Sequence, residues 1–254
     1  MIILSGHSKW ANIKHRKAAQ DAKRGNLFQK LVRAIIIAAK DGGGDPAMNM
    51  RLKTAIERAK AVSVPNDNIT RAIKRGTGEL GDITYDELTY EVIGPSGIAV
   101  LVNVMTDNRN RTTPEIRALL ARNGGQMGSE GSVAWMFDRK GVIEVKGKNI
   151  DEDELMTLGL DSGMSDMEAN DEGFTLYCEP SDLDTLQKAL EEAKYVVDNA
   201  EVSMIAKTPV EVSDPEAARK VLRLVDALEE HDDVQNVYSN FEIPDEIASQ
   251  IEDD

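Results

Sequence analysis

The residues best suited to chemistry are cations concentrated near the N-terminus. Residues 6–25 read GHSKWANIKHRKAAQDAKRG, with one tryptophan and two histidines among the charges. Cations neutralise the phosphates of a polyanion and release its condensed counterions, and a tryptophan can stack on an unpaired base. The segment therefore predicts nucleic-acid binding rather than a solvated tail with incidental charge. Its candidate contacts are His7, Ser8, Lys9, Trp10, Lys14, His15, Arg16, Lys17, Lys23 and Arg24.

Charge is divided unevenly along the chain. Residues 1–80 hold 16 lysines and arginines against six acidic residues, a net charge of +10. Residues 81–254 hold 14 against 39, a net charge of −25. Because this acidic body repels a second phosphate surface within a Debye length of about 8 Å, it disfavours wrapping by DNA. It can instead contact basic ribosomal proteins, so the pattern predicts a basic head for nucleic acid and an acidic body for other partners.

Other chemistry has weaker support in the sequence. His7 and His15 are eight residues apart with no third ligand nearby, which argues against a metal site. Arg109 and Arg111 precede a predicted helix and could seat a phosphate, although the Asn and Asp residues around them suit an ordinary turn equally well. Patterns of serine hydrolases, nucleotide-binding loops and zinc proteases are missing from the sequence. We therefore expect a protein without enzymatic activity, metal or cofactor.

Cysteine usage and hydropathy bear on the compartment. Cys178 is the only cysteine, so no disulfide can form within the chain. No window approaches the roughly 18 apolar residues of a membrane span, and the apolar residues 1–4 are too few for a secretory signal. We therefore expect a cytoplasmic protein that does not contact membranes. We also expect it to be a monomer.

The candidate cations near the N-terminus lie on two successive segments, a basic arm and the helix that follows it. Residues 12–24 can form a helix, but Ile13 is its only large aliphatic side chain. Packing then cannot offset the entropy of ordering, so we expect the arm to order when a partner binds. Apolar residues from Leu27 onward recur at i, i+3/i+4 and predict a core-facing helix over 26–40. Lys30 and Arg33 project from its other side and are further candidate contacts with nucleic acid.

Two more helices complete the predicted helical domain. One runs from about residue 50 to 62, and the other opens after Pro65 with Gly76 as its C-terminal stop.

After residue 81 the pattern changes to α+β. The Thr112–Glu115 sequence has the form of a capping box that opens a helix ending near Arg122. Residues 140–206 read as β-α-β-β-α-β, which is the ferredoxin-like order. The segments on either side, 81–139 and 207–241, together complete a second β-α-β-β-α-β order. One extra strand precedes this second order in sequence. Their strands are predicted at 84–93, 97–105, 133–137, 210–212 and 234–238, with a second helix over 215–230.

The expected fold is therefore a multidomain α+β protein. An N-terminal helical domain precedes two ferredoxin-like α/β sandwiches, one inserted in the other. The predicted bounds are 1–80 for the arm and helical domain, 81–139 with 207–241 for the outer sandwich, 140–206 for the inserted one, and 242–254 for an acidic tail that should fray.

Several motifs resemble those of the YebC family. Residues 6–25 resemble its opening signature, which is highly specific, and the likeness extends over nearly the whole chain. The first five residues differ from the family's usual start and leave this signature intact. The other matching stretches are 41–46 (DGGGDP), 106–112 (TDNRNRT), 131–134 (GSVA), 200–205 (AEVSMI) and 232–238 (DDVQNVY).

The resemblance implies a three-domain cytoplasmic regulator of gene expression without known enzymatic activity. Bacterial members are commonly described as DNA-binding transcriptional regulators. Members are also described as ribosome-associated translation factors that help synthesis through proline stretches, and the mitochondrial relative activates translation of cytochrome c oxidase. The family therefore leaves the nucleic acid open. The acidic body and the lack of a convincing helix-turn-helix favour structured ribosomal or transfer RNA on the ribosome over duplex DNA.

Overall fold

The computed structural model describes residues 20–81, 85–147, 149–170 and 172–252, with side chains described from residue 27 to 251. The contacts divide the chain into two compact units. One is Trp135–Thr208, and the other comprises the residues before and after it. The predicted basic arm lies outside the described residues up to position 19.

Three helices form the first part of the discontinuous unit. They are α1 (Gln20–Gly42), α2 (Met50–Ala61) and α3 (Asn66–Gly76). Helix α1 runs without a break through Gly25, so the predicted division between arm and helix at this point is wrong. Leu27 was expected in the core but is 41% exposed, because the fully buried part of α1 lies nearer its C-terminus. That part spans 35–39 and packs against apolar residues of α2 and α3.

The glycine-rich turn after α1 is fixed by one side chain. Asn49 is buried, and its amide nitrogen donates to the carbonyl oxygens of Ala38 and Gly43. Its amide oxygen accepts from the backbone N–H of Leu52 and so caps α2. Gly43 follows the last residue of α1 and adopts a φ of 85°, which favours glycine at the end of a helix.

Gly76 has a different role from the predicted one. It is the last residue of α3, not a left-handed stop beyond it, since its φ is not positive. A Cβ at this position would overlap the carbonyl oxygen of Ile36 and the Cβ of Ala39 on α1. Glycine therefore permits the close packing of α3 on α1.

An antiparallel sheet forms the second part of this unit. Its order is β3-β1-β2-β9, from β1 (Asp86–Ile93), β2 (Ala99–Thr106), β3 (Gln126–Met127) and β9 (Val234–Ser239). Helices α4 (Arg109–Arg122) and α7 (Pro215–Glu230) share one apolar core with these strands. The four-residue spacing of Ile116 and Leu120 on α4 and of Val221 and Val225 on α7 supplies their buried faces.

Two predicted boundaries in this region are wrong. Helix α4 begins at Arg109, because the side chain of Asn108 caps it by accepting from the N–H of Arg111. The hydroxyl of Thr112, expected to cap the helix, instead bonds to other side chains. Residues 133–136 are not a strand: a 3-10 turn at Ala134–Met136 precedes β4 (Phe137–Lys146).

The strand predicted in front of the outer sandwich occupies a central place in its sheet. Strand β1 lies between β3 and β2, where the third strand of a ferredoxin-like order would lie. Strand β8 (Val210–Glu211) takes no place there and pairs in parallel with β10 (Phe241–Glu242). The outer unit therefore keeps the ferredoxin-like arrangement of strands. Its third position is filled by β1, which precedes the other strands in sequence, and not by β8.

The inserted unit has the predicted β-α-β-β-α-β order. Its antiparallel sheet is ordered β5-β6-β4-β7, and its two helices share a separate apolar core with it. The strands are β4 (Phe137–Lys146), β5 (Met164–Asn170), β6 (Gly173–Cys178) and β7 (Val196–Ala206), and the helices are α5 (Glu152–Asp161) and α6 (Leu183–Glu192).

The C-terminal segment is more ordered than the sequence predicts. Residues Asp245–Glu252 form helix α8. Ile247 and Ile251 pack against the core of the outer unit, which explains why a segment expected to fray is helical. Within the described part of the chain, none of the helices is long and apolar enough to cross a membrane.

Candidate nucleic-acid interface

The predicted contact residues divide into three groups. His7, Ser8, Lys9, Trp10, Lys14, His15, Arg16 and Lys17 lie outside the described residues. Lys23 and Arg24 belong to the first two turns of α1, where only the backbone is described. Lys30, Arg33, Arg109 and Arg111 are described with their side chains, and their surroundings differ sharply.

Asp233 joins two of these cations. Its side chain is 2% exposed and lies just before β9. Its Oδ1 is 2.9 Å from Nη1 of Arg33 on α1, and its Oδ2 is 2.7 Å from Nη2 of Arg111 on α4. The hydroxyl of Thr112 donates to the same Oδ2 at 2.6 Å. We call this set of four residues the Asp233 cluster.

The electrostatics of the Asp233 cluster favour the charged carboxylate. Burial by itself raises the pKa of Asp233, but the hydrogen bonds from Thr112 and Arg111 and the charges of Arg33 and Arg111 outweigh it. The net result is a pKa below the usual value for aspartate. The same contacts raise the pKa of Arg111, with the hydrogen bond to Asp233 as the largest cause.

Helix α1 also caps the end of α7. The ammonium of Lys30 donates to the carbonyl oxygen of Glu229, and Nη1 of Arg33 donates to that of Asp232. Helix α7 has no basic residue in its own last turn. Cations are stabilising at this negative end of the helix dipole, so α1 supplies what the sequence of α7 lacks.

These contacts limit the ability of the predicted cations to bind phosphate. Lys30 and Arg33 are bound to carbonyl and carboxylate oxygens, and a phosphate would have to displace these partners. Arg111 also lies 3.1 Å from Asp107 and 3.9 Å from Glu115. Arg109 is exposed and pairs with no acidic side chain in the described part of the chain. Its contact with a phosphate stays a prediction.

An open cleft of about 850 Å³ lies beside the Asp233 cluster, between α1, α4 and the end of α7. In it, Nδ1 of His231 accepts from the N–H of Asp233 at 3.1 Å, and Nε2 is 3.3 Å from Glu115. None of the described residues that line the cleft is a serine or a cysteine. The cleft thus offers mixed charges but no nucleophile beside its histidine.

The sequence analysis missed a further group of cations, which lies on α3. Arg71, Lys74 and Arg75 lie at i, i+3 and i+4 on α3, and none has an ion-pair partner among the described residues. By contrast, both Nη atoms of Arg51 on α2 are 2.8 Å from a carboxylate. The helical spacing was a usable signal, but only the tertiary structure separates paired cations from unpaired ones.

Glu91 holds the turn that leads into the inserted unit. Its buried carboxylate accepts from the backbone N–H groups of Gly131, Val133 and Ala134 at 2.5–2.8 Å. Burial raises its pKa, but these backbone donors and Ser132 outweigh that effect and leave the pKa below the usual value. The 131–134 motif thus has a structural role as a binding site for this side chain.

Cys178 is unsuited to nucleophilic chemistry. It is fully buried in the core of the inserted unit at the end of β6. Burial, together with the nearby carboxylates of Asp182 and Glu179, raises the pKa of its thiol to about 11. The reactive thiolate is therefore scarce near neutral pH.

Comparisons with known proteins cover almost the whole chain. The family model for the TACO1/YebC N-terminal domain matches residues 8–79, and that for the second and third domains of TACO1/YebC matches residues 85–241. A protein of Chlorobaculum parvum is 55% identical over 252 residues, covering 99% of this chain and 100% of that one. A protein of Halothermothrix orenii is 51% identical over 250 residues, covering 98% and 99%. Both are named "Probable transcriptional regulatory protein".

A solved structure agrees with these matches. The crystal structure of a conserved hypothetical protein from Aquifex aeolicus is 44% identical and superposes with a TM-score of 0.81. The match covers 90% of this chain and 95% of that one. Because two family models together match residues 8–79 and 85–241, and relatives above half identity cover 98–99% of its length, this chain belongs to the TACO1/YebC family.

Proposed function

We propose that this protein is a non-enzymatic regulator of gene expression that binds nucleic acid through its basic N-terminal region. In the finer form of the proposal it is a ribosome-associated translation factor that relieves stalling, as at proline stretches. The separation of charge carries this proposal: a net +10 over residues 1–80 against −25 over the rest. The regulatory names of the relatives support its coarser part.

The distribution of charge favours RNA within a ribonucleoprotein. The inserted unit, residues 135–208, has 18 acidic residues against seven lysines and arginines, a net charge of −11. Such a surface repels nucleic acid and attracts basic proteins, both of which the ribosome presents together. One end of the chain would then contact ribosomal or transfer RNA while the acidic unit faces basic ribosomal proteins.

The geometry of α3 argues against reading duplex DNA by a recognition helix. Recognition helices contact base edges with their N-terminal residues. The first turn of α3 carries Asp67, whereas its cations lie in the second half of the helix. An acidic first turn suits the positive end of the helix dipole but not the edge of a phosphate-lined groove.

DNA-binding transcriptional regulation is the second candidate. The names of the relatives favour it, because those of Chlorobaculum parvum and Halothermothrix orenii are described as probable transcriptional regulatory proteins. The same N-terminal cations would then neutralise phosphates of a duplex.

Substitution of Trp10 separates the two candidates. Stacking needs an unpaired base, which RNA loops offer and an intact duplex does not. We expect Trp10→Ala to reduce cosedimentation with ribosomes by about tenfold, since base stacking contributes ~1–3 kcal/mol, while affinity for random duplex DNA hardly changes. Trp135→Ala is the matched control, because it removes the chain's other indole, 66% exposed, from the acidic unit.

A second variant tests the electrostatic part. Reversing the charges of Lys14, Arg16 and Lys17 should weaken binding of either nucleic acid and flatten its salt dependence, by about 0.7–0.9 per lost phosphate contact. If Trp10→Ala abolishes binding to a promoter duplex and leaves ribosome cosedimentation unchanged, the transcriptional function is the correct one. If the wild-type protein binds neither RNA nor ribosomes nor DNA, the proposal as a whole is wrong.

A further inference from the structure

A small groove between α1 and α3 carries cations that have no ion-pair partner among the residues that the structure describes. Arg71 and Arg75 line it, one turn apart on α3. Lys74 is exposed beside them on the same helix. The other residues that line it are Val32, Ile36, Asn68 and Ala72.

No carboxylate near these cations in sequence neutralises them. Asp67 and Glu79 are the acidic residues nearest to them in sequence, and neither forms an ion pair with Arg71, Lys74 or Arg75. Three like charges at i, i+3 and i+4 destabilise a helix by mutual repulsion. An anion bound beside them would remove this repulsion.

Arg75 supplies an independent observation. Its Nε is buried and, within the described residues, has no hydrogen-bond partner. A buried donor without a partner costs free energy, so native structures seldom retain one without a ligand or another explanation. Arg75 lines the groove, so the guanidinium that carries this atom borders the space that an anion would occupy.

The size and lining of the groove limit what can bind. Its volume is about 120 Å³. Cofactor and drug-sized ligands need roughly 300–1,000 Å³, so the space suits a single anionic group. Two arginines with one asparagine provide planar N–H donors, the arrangement that recognises phosphate oxygens. Val32 and Ile36 add apolar surface to the lining.

The groove is also held rigidly. Gly76 lets the end of α3 lie directly against the backbone of α1 at Ile36. Ile69 and Ala72 are buried against the same helix core. The backbone that carries the two arginines is therefore fixed before a ligand binds, which lowers the entropy lost on binding.

We infer that the α1–α3 groove binds a phosphate of an RNA backbone through Arg71 and Arg75, with Lys74 neutralising a neighbouring phosphate. This site rests on the proposed function, and extends it from the N-terminal arm to a folded surface. Duplex DNA offers the same phosphates and is distinguished by experiment.

The test replaces all three cations with glutamine in the full chain. Binding of a single-stranded oligouridylate and of random duplex DNA is measured across a series of KCl concentrations. For the RNA, we expect the triple variant to bind roughly 10- to 100-fold more weakly at physiological salt, and the salt slope to fall by about 2, from three contacts at about 0.7 each. The matched control replaces Arg117, Lys188 and Lys194, three exposed cations outside the helical domain, and should bind as the wild type does.

A conservative substitution tests the geometry of the groove. Arg75→Lys keeps the charge, so the salt slope should stay unchanged, but it removes the buried Nε–H and the planar fork. We expect affinity for oligouridylate to fall about three- to tenfold. Thermal melting of each free variant shows whether α3 is still folded, and Arg75→Lys carries the test if the triple variant melts early.

The outcomes separate this inference from the proposed function. Wild-type affinity and slope in the triple variant would overturn the groove site while leaving binding by the arm intact. A loss confined to duplex DNA would overturn the assignment to RNA. If the wild-type protein does not bind oligouridylate or ribosomes, the proposed function fails and the groove site with it.

Discussion

The carboxylate of Asp233 decides how firmly α1 is attached to the outer sheet, because it bonds to Arg33 and Arg111 at once. We expect Asp233→Asn to lower the free energy of unfolding by about 2–3 kcal/mol. Removing one partner of a fully buried ion pair costs ~3–5 kcal/mol, and the partial exposure of both arginines reduces this. Urea unfolding measures the loss.

Asp232→Asn is the matched control for this prediction. Asp232 is exposed, and the contact described for it is made by its backbone carbonyl, not by its carboxylate. Its substitution should change the free energy of unfolding by less than about 0.5 kcal/mol. Equal effects of the two substitutions would show that the buried contacts of Asp233 do not stabilise the fold.

Glu91 makes the stability depend on pH. Its folded-state pKa lies below the reference value of 4.5, so its stabilisation is complete above that reference pKa and is lost as pH falls through the lower, folded-state pKa. Glu91→Gln places an amide N–H₂ against backbone donors and should cost about 2 kcal/mol at neutral pH. Urea unfolding from neutral pH to below pH 4.5 measures the difference between the variant and the wild type, which should shrink as the pH falls below 4.5. A constant difference across this range would contradict the assigned pKa shift.

At the scale of elements, the contact between α1 and α3 depends on Gly76. A Cβ at this position meets the backbone of α1, which cannot move as a flexible side chain can. We expect Gly76→Ala to lower the free energy of unfolding by about 1–3 kcal/mol, even though alanine is the better helix former. Thermal melting followed by circular dichroism measures the effect.

Thr70→Ala provides the control on the same helix. Thr70 is exposed, so the substitution improves helix propensity without changing the packing on α1. It should leave the melting temperature unchanged or raise it slightly. If Gly76→Ala behaves in the same way, close packing does not explain the glycine.

At the scale of the whole molecule, the two units should fold independently. The three apolar cores share no residues, and the inserted core is drawn entirely from the inserted unit. The chain enters and leaves this unit side by side, since Phe137 pairs with Ala206 and the N–H of Lys207 bonds to the carbonyl of Met136. A short turn can therefore replace 135–208.

We expect the shortened chain to unfold cooperatively, with the helix content of the remaining helices in its circular dichroism spectrum. The separate 135–208 unit, expressed alone, should also melt cooperatively, because it contains its own sheet and both helices that cover it. A shortened chain that lacks a cooperative transition would show that the outer unit needs the insertion to fold.

The sequence determined the features that are local or additive. Hydrophobic periodicity located α2, α7 and the elements of the inserted unit, because spacing along a helix or strand decides which side chains share a face. The division of charge is a sum over residues and needs no geometry. The family resemblance, carried by contiguous motifs, likewise followed from the chain itself and was confirmed by the comparisons.

Contacts between groups that lie far apart in the chain depend on how the elements pack. Lys30 reaches a carbonyl 199 residues away, and Thr112 bonds to Asp233 instead of capping its own helix. Strand β1 takes a central place in its sheet that its position in sequence does not indicate. Such pairings depend on the packing of distant elements, and a cation looks the same in sequence whether a carboxylate lies beside it or not. For that reason the sequence located the basic region, whereas the structure distinguished Arg33 and Arg111, which pair with Asp233, from Arg71 and Arg75, which pair with no carboxylate in the described part of the chain.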